Sequence, residues 1–146
     1  MSKEQAQVRK EKSQMVILGI VLNKKGEVLI IKRKNPEITR NSKEFIWAFP
    51  GGRQEEDENR EDRVIAEVLA ETGYKVRPLR QIHLRVHPDT LTMVAYFLCE
   101  LEKDEPVQDI EEKDEVEEIR WVKPEELKNY FTTNIDPEVK KVLKIN

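Results

Sequence analysis

Cysteine is almost absent from this sequence, since Cys99 is the only one among 146 residues. A chain with one cysteine forms no disulfide of its own. Such usage is typical of proteins from reducing compartments, so we expect a cytoplasmic protein. We expect Cys99 itself to be a small, buried hydrophobic side chain.

Long apolar segments are missing as well. The longest run, MVILGIVL at 15–22, has eight residues, whereas a membrane-spanning helix needs about 20. The first 14 residues, MSKEQAQVRKEKSQ, contain no apolar core of the kind that a secretion signal has. We therefore predict no membrane partner, a charged and disordered lead-in at 1–14, and a single domain at 15–146.

An excess of positive charge is also lacking. The 26 basic and 29 acidic side chains leave a net charge of −3. Proteins that bind nucleic acids more often carry a basic surface, so nucleic acid is not a predicted partner. The sequence contains no repeat and no low-complexity segment. It favours one globular domain, for which the 38% of hydrophobic residues can supply a core.

Apolar segments rich in β-branched residues alternate with polar turns. MVILGIVLN and VLIIKR flank Lys-Lys-Gly-Glu at 24–27, which predicts a hairpin. Polar or acidic loops are expected at 34–44 and 102–115. Further strands are expected at 45–50, 74–87, 91–101 and 116–122, and helices at 59–72, 123–131 and 136–144. This order predicts an α+β fold, in which helices cover a mixed sheet.

The predicted helix at 59–72 has the clearest periodicity. Its apolar residues follow helical spacing around Val68, and Gly73 follows immediately as a C-terminal cap. The apolar positions are Val64, Ile65, Val68, Leu69 and Thr72. One face of this helix should therefore pack on the sheet.

Two glutamates on this helix carry the first functional signal. Glu67 and Glu71 are four residues apart, so they lie one turn apart on another face, beside the glycine turn at 51–52. Adjacent carboxylates repel each other unless a cation lies between them, and oxygen ligands of this kind suit Mg²⁺ or Mn²⁺. A solvated acidic face, with Arg63 and Glu67 as an ordinary ion pair, explains the same spacing.

The segment at 52–74 resembles a Nudix box, in which a glycine, three sets of glutamates, an arginine and a closing glycine stand at set distances. The matching positions are Gly52, Glu58, Glu67, Val68, Glu71, Gly73 and Tyr74. The preceding WAFPGG and the late DEVEEIRWVKPEEL extend the resemblance over most of the chain. It implies a Nudix-type α/β/α sandwich with a mixed β-sheet, and an enzyme that hydrolyses a nucleoside diphosphate linked to another group.

Two box positions depart from the family pattern. Ala66 stands where the family has an arginine that commonly supports the carboxylates, and Ala70 stands where it has a glutamate that is commonly a metal ligand. The alanines are one helical turn apart, and losing both charges together avoids an unpaired partner. We hypothesise that the two changes are coupled and weaken the metal site. The alternative is a catalytically impaired Nudix-fold module that binds a nucleotide or a partner.

The resemblance also implies a cofactor and roles for single residues. The cofactor would be Mg²⁺ or Mn²⁺, and the substrate a small-molecule nucleoside diphosphate derivative. Glu67 and Glu71 would be catalytic metal ligands with a backbone carbonyl near Gly52, and Glu67 could instead be the base. Some members take a further catalytic glutamate from a loop before a late strand, for which Glu115 is the candidate. A solvated acid in an acidic loop is the simpler explanation of Glu115.

Substrate contacts are predicted less directly. Arg33, Arg40 and Arg85 are candidates for binding phosphates, although surface charge and pairing on a sheet face are simpler explanations. Trp47 and Trp121 could stack on a base, although packing within strands is the simpler role. A homodimer is left open.

Overall fold

The computed structural model describes residues 2–6 and 15–146. Residues 3–6 form one turn of helix, and the rest of the predicted lead-in at 1–14 lies outside the described residues. The strands are β1 (Met15–Leu22), β2 (Val28–Ile38), β3 (Glu44–Ala48), β4 (Gly51–Arg53), β5 (Val76–Val86), β6 (Met93–Leu101) and β7 (Val116–Val122). The helices are α1 (Arg60–Thr72), a 3₁₀ helix (Pro124–Asn129) and α2 (Pro137–Leu143).

These strands form one mixed sheet in the order β3-β2-β1-β6-β5. The pairing of β1 with β6 is parallel, from Met15 opposite Met93 to Leu22 opposite Glu100. The remaining pairs are antiparallel, with β4 added to β1 and β7 added to β2. The predicted α+β fold with a mixed sheet is confirmed.

The predicted hairpin at 15–33 exists only near its turn. β1 and β2 pair at Leu22 and Val28, on either side of the turn. Further along, β1 pairs with β4 and β6, while β2 pairs with β3 and β7. β1 is largely buried, and so is the first part of β2 at 28–31. The two strands diverge after the turn because pairing with distant strands buries them more completely than an isolated two-stranded hairpin would.

The predicted polar loop at 34–44 is wrong at both ends. β2 continues to Ile38, and β3 begins at Glu44. This part of β2 is exposed, so its sequence shows no alternation of polar and apolar residues. The backbone is ordered by non-local bonds instead, among them the Lys34 N–H bond to the Glu115 carbonyl at 2.8 Å.

The helix predicted at 123–131 is a shorter 3₁₀ helix. It begins at Pro124, which follows Lys123, and the Lys123 side chain makes no capping hydrogen bond. Leu127 anchors the segment with no exposed surface. One buried residue within six is too little apolar surface to extend a regular α-helix.

Two apolar layers lie on opposite sides of the sheet. Val64 and Val68 of α1 pack on one face with Ile17, Leu29 and Phe97. The other face is covered by Leu127, Val139 and Leu143, which pack with Ile20, Ile30 and Val94. Each fully buried side chain of this size contributes about 1.5–3 kcal/mol. The arrangement confirms the predicted α/β/α sandwich, and Cys99 lies buried in the layer under α1 as expected.

Candidate active site

Helix α1 is held at both ends by its own sequence. The Asn59 side chain accepts a hydrogen bond from the Asp62 N–H at 2.8 Å. Gly73 ends the helix with a φ of 79°, and its N–H donates to the Leu69 carbonyl. A side chain at Gly73 would also collide with the Gln108 carbonyl oxygen, which lies 2.3 Å from an ideal Cβ. The predicted position of this helix is confirmed. It could be predicted because the capping residues stand directly at the two ends of the helix in the sequence.

The face of α1 that contacts the sheet includes two glutamates. Val64 and Val68 have no exposed surface, while Glu67 is 9% exposed and Glu71 is 5% exposed. The predicted apolar stripe is therefore continued by two carboxylates. Removing a carboxylate from water is costly unless it is paired, hydrogen-bonded or neutralised, so both need partners.

The glycine pair at the start of β4 leaves room for both carboxylates. The Gly51 N–H donates to Glu71 Oε1 at 2.7 Å. An ideal Cβ at Gly52 would lie 2.7 Å from the Glu67 carboxylate, and one at Gly51 would lie 2.0 Å from the Ile17 carbonyl oxygen. Only glycine permits this approach. The structure thus brings together the three residues predicted to hold a metal.

Glu71 is neutral in the metal-free protein. Burial raises its pKa to about 8, and the charges of Glu115 and Glu112 add to this rise. The hydrogen bond from Gly51 and the charge of Arg33 oppose it. Near neutral pH the carboxyl group therefore carries a proton, which a bound cation would displace.

Glu67 is paired with an arginine one turn earlier in α1. The Arg63 guanidinium contacts Glu67 Oε1 directly. It also lies 3.6 Å from Glu58 Oε1 and 3.9 Å from Glu55 Oε1. The ion pair between Arg63 and Glu67 that the spacing allowed is present, and one guanidinium lies among three carboxylates.

The acidic loop before β7 packs against the end of α1. The N–H groups of Glu111 and Glu112 donate to the Ala70 carbonyl at 2.8 and 3.1 Å. Glu112 and Glu115 line the same cavity as the two buried glutamates of α1. Glu115 was predicted from the sequence, whereas Glu112 was not. The only signal was the acidic composition of the loop, which does not show which acids face the cavity.

The acidic side chains of α1 and of the loop before β7 line a cavity of about 860 Å³. Aromatic side chains also line it, namely Phe45, Trp47, Phe49, Tyr96 and Phe131. Ligand cavities of roughly 300–1,000 Å³ enclose small molecules. The lining suits a ligand with one strongly charged part and one flat, apolar part. Trp121, in contrast, packs on Tyr74 with ring centroids 5.3 Å apart, in the layer under α1.

The three predicted phosphate contacts have different places. Arg33 lines the cavity, whereas Arg40 and Arg85 do not. The Arg33 guanidinium lies 4.6 Å from the centre of the Phe45 ring and binds Glu37 at 2.9 Å. Arg40 Nε donates to the Pro88 carbonyl at 2.9 Å.

Arg85 belongs to a second group of buried polar residues behind one wall of the cavity. Asp136 is 1% exposed, and its Oδ2 lies 2.7 Å from His83 Nδ1 and 3.0 Å from Arg85 Nε. Asp89 is 2% exposed and accepts a hydrogen bond from the Asn134 N–H at 2.7 Å. Asn134 and Asp136 face the cavity, so Arg85 supports the wall from behind.

Asp89 joins three separate segments of the chain. Burial alone would raise its pKa, but hydrogen bonds from Asn134, Asn41 and Lys43, with the Lys43 charge, lower the pKa to about 2. Burial lowers the pKa of the neighbouring His87. His87 Nδ1 accepts from the Asp89 N–H, so its Nε2 is the donor to the Asn134 carbonyl. This cluster was not predicted from the sequence, because its members come from distant segments of the chain.

A model of the NUDIX domain matches residues 12–144. The chain belongs to the Nudix family. A Bacillus subtilis (strain 168) protein named "Putative 8-oxo-dGTP diphosphatase" is 27% identical over 115 residues, which are 79% of this chain and 70% of that protein.

Solved structures of Nudix proteins share the fold. The MutT protein from Methanosarcina mazei Go1 has a TM-score of 0.61 at 24% identity, covering 89% of each chain. A NUDIX hydrolase from Nitrosomonas europaea has a TM-score of 0.64 at 17% identity, covering 89% of this chain and 85% of that one. The predicted family and the predicted Nudix hydrolase are confirmed. Proteins of this family act on nucleoside diphosphate derivatives, generally with a divalent metal.

The two departures in this Nudix box have different surroundings. Ala66 is exposed. Ala70 is partly covered by the acidic loop, whose N–H groups bind its carbonyl. Ala70 lacks the carboxylate that the family has at this position, but two acids of the loop, Glu112 and Glu115, line the same cavity.

The acidic side chains of the Nudix site have the ligand chemistry that a hard divalent cation needs, but they are not arranged around a common ion position. Carboxylate and carbonyl oxygens are the ligands that Mg²⁺ and Mn²⁺ prefer. Among residues 2–6 and 15–146, no three acidic, histidine or cysteine side chains are grouped to hold an ion. Glu67 is engaged by Arg63, and Glu71 by a proton and the Gly51 N–H. The donor set suits such an ion in its chemistry, provided that the cation replaces Arg63 at Glu67 and the proton at Glu71.

A membrane-crossing segment was not expected. In the described part of the chain, no helix has the length and apolar character needed to cross a membrane.

Proposed function

We propose that this protein is a Mg²⁺- or Mn²⁺-dependent hydrolase that cleaves the diphosphate bond of a nucleoside diphosphate linked to another group. The observation that carries the proposal is the burial of Glu67 and Glu71 against Gly51 and Gly52, in a cavity that aromatic side chains also line. Buried carboxylates suit a cation with bound phosphates, and aromatic rings suit a nucleobase.

Glu67, Glu71 and the Gly52 carbonyl would hold the cation. When bound, the cation supplies charge neutralisation at the diphosphate and a water of lowered pKa. Glu71 has to give up its proton for this role, and Glu67 has to leave Arg63. These two requirements support a weakened metal site, as expected from Ala66 and Ala70.

Proton transfer falls to a carboxylate that stays outside the buried pair. Glu115 is exposed and lines the cavity, so it can accept a proton from the attacking water and exchange it with solvent. Glu67 is the second candidate for the base. Arg33 lines the cavity and can bind a phosphate oxygen through its guanidinium.

The aromatic side chains that line the cavity provide a binding place for the nucleobase of the substrate. Phe49 and Phe131 meet edge to face with ring centroids 4.8 Å apart, which fixes the orientation of both rings. The name of the Bacillus subtilis relative suggests an oxidised purine nucleotide as one member of the substrate panel.

The proposal is tested with a panel of nucleoside diphosphate derivatives and Mg²⁺ or Mn²⁺. The panel should include 8-oxo-dGTP, ADP-ribose and a UDP-sugar. We expect turnover of at least one compound, and a loss of about 100-fold or more in Glu71→Gln. Glu61→Gln is the matched control, because Glu61 is an exposed acid on the same helix outside the cavity. Turnover that survives Glu71→Gln undiminished would contradict the proposal.

A binding module without turnover is the second candidate. It is favoured by Ala66 and Ala70, and by the lack of a preformed group of three metal ligands among the described residues. Nucleotide binding in calorimetry, with no hydrolysis of any panel member, would support it. A homodimer and a cytoplasmic location stay predictions.

A further inference from the structure

Arg63 has contacts that the Nudix box does not assign to its position. Its side chain is 16% exposed, and it touches Glu67 while lying within 4 Å of Glu58 and Glu55. The box arginine belongs at position 66, where this chain has an exposed alanine. A cation that the helix lacks at one position is therefore present one turn earlier.

The pairing of Arg63 is incomplete. Arg63 Nε and Glu58 Oε1 are both buried, and both lack a hydrogen-bond partner in the described part of the chain. The distance of 3.6 Å from the guanidinium to Glu58 is an ion-pair distance, too long for a hydrogen bond. Buried polar atoms without partners are uncommon, and each calls for an explanation such as a functional role, a water or an ion.

Glu58 offers the guanidinium a second partner, because Glu58 Oε1 lacks a donor and lies 3.6 Å from Arg63. If the guanidinium moved from Glu67 towards Glu58, Glu58 would gain a donor, and Arg63 would keep a carboxylate partner. Glu55, 67% exposed, is a second acceptor at 3.9 Å. Glu67 would then be left with its carboxylate against Gly52 and free to bind a cation.

We propose that Arg63 is a positioning residue that holds Glu67 in the metal-free protein and releases it to the divalent cation by moving onto Glu58 and Glu55. The inference rests on the proposed metal-dependent function. It adds an internal counter-cation at a position where the Nudix box has none. Arg63 and the divalent ion compete for one carboxylate, so Arg63 lowers the metal affinity of the site.

The test measures Mn²⁺ binding without substrate, by the paramagnetic resonance signal of the free ion. Arg63→Gln should bind Mn²⁺ about tenfold more tightly, because a competing positive charge is removed. Arg63→Lys should lie close to the native protein. The matched control is Arg60→Gln, since Arg60 lies one turn earlier on α1 and binds Gln81 instead of an acid.

Glu58→Gln tests the acceptor and does not depend on the stability of Arg63→Gln. It should weaken Mn²⁺ binding about threefold, because Arg63 loses the group onto which it moves. In the Arg63→Gln background the same change should have little effect. An equal effect of Glu58→Gln in both backgrounds would contradict the movement of Arg63.

Nuclear magnetic resonance gives a readout that a purely structural arginine would not change. The Arg63 Nε–Hε resonance should shift during a Mg²⁺ titration of the native protein, while the Arg60 resonance stays in place. An Arg63 resonance unaffected by saturating Mg²⁺ would overturn the inference.

The outcomes separate this inference from the proposed function. If the native protein binds no Mn²⁺ but Arg63→Gln does, the hydrolase proposal fails for the native chain and the role of Arg63 stands. If Arg63→Gln binds Mn²⁺ no more tightly than the native protein, or if neither binds it, the inference is overturned.

Discussion

Two clusters of buried carboxylates lie beside the same cavity, and they differ in how many donors each carboxylate has. Asp136 contacts His83 and Arg85, and it also accepts from two N–H groups at the start of α2. Asp89 accepts from a backbone N–H and pairs with Lys43. Glu71 has one N–H donor, and Glu67 has one arginine.

From this difference we propose a structural role for Asp89 and Asp136 and a binding role for Glu67 and Glu71. Fully paired carboxylates join segments of the chain and leave no capacity for a ligand. Carboxylates with few donors keep free lone pairs, and here the neutral state of Glu71 replaces the missing partners. The wall behind Asn134 is therefore held by more donors than the acidic wall of the Nudix box, where we propose that a cation binds.

The largest effect on stability is expected from Asp136→Ala. It would leave Arg85 without its buried carboxylate partner and α2 without its N-cap, so the free energy of unfolding should fall by about 3–5 kcal/mol. Urea unfolding measures this loss. Glu138→Gln is the control, because Glu138 is an acid of α2 that pairs only at the surface. A loss below about 1 kcal/mol for Asp136→Ala would show that the two clusters do not differ in this way.

Glu71→Gln should raise the free energy of unfolding, whereas Asp136→Ala should lower it. Because the pKa of Glu71 is raised, its protonated side chain makes its full contribution to the free energy of unfolding below about pH 4.5. This contribution is lost as the pH rises towards 8. The substitution removes this loss, so metal-free Glu71→Gln should be more stable than the native protein by about 2–3 kcal/mol at pH 7. The difference should vanish near pH 4. Unfolding in a chelator at both pH values checks it, and equal stabilities at pH 7 would contradict a protonated Glu71.

Asp89→Asn should have a smaller effect with the reverse dependence on pH. The pKa of Asp89 is lowered from 3.8 to about 2, so its contribution is complete above pH 4 and is lost as the pH falls towards 2. Asp89→Asn should lower the free energy of unfolding by about 1 kcal/mol at pH 7, allowing for screening by nearby solvent. Acid unfolding of both proteins measures this. A constant difference from pH 7 to pH 2 would exclude the Asp89 charge as its source.

The smallest effect is the coupling between the two box departures. Ala66→Arg and Ala70→Glu should change the Mn²⁺ affinity of the double variant by about 0.5–1 kcal/mol beyond the sum of the single changes. The reason is that each restored charge lies one turn from the other on α1. Additive effects on Mn²⁺ binding would refute the hypothesis that the changes are coupled.

Local features of the site could be predicted well. The bounds of α1, its glycine cap and the places of Glu67 and Glu71 follow from spacing within one helix. The burial of both glutamates could not be predicted in this way, because it depends on β4 and its two glycines. The long β2 was missed for a related reason, since its outer part is exposed and is held by bonds to the distant residue Glu115.

By itself the sequence determined the resemblance to the Nudix family, through the box residues from Gly52 to Gly73, and it indicated the mixed fold. It also determined the position of α1, because helical periodicity and capping act over a few residues. Only the tertiary structure decided which charges meet. The parallel pairing of β1 with β6 and the packing of the acidic loop on Ala70 bring distant segments together. The partners of the Glu71 and Asp89 carboxylates therefore come from residues far away in the chain, as do His83 and Arg85 beside Asp136. The pKa values of Glu71 and Asp89 depend on burial and contacts that no local pattern records.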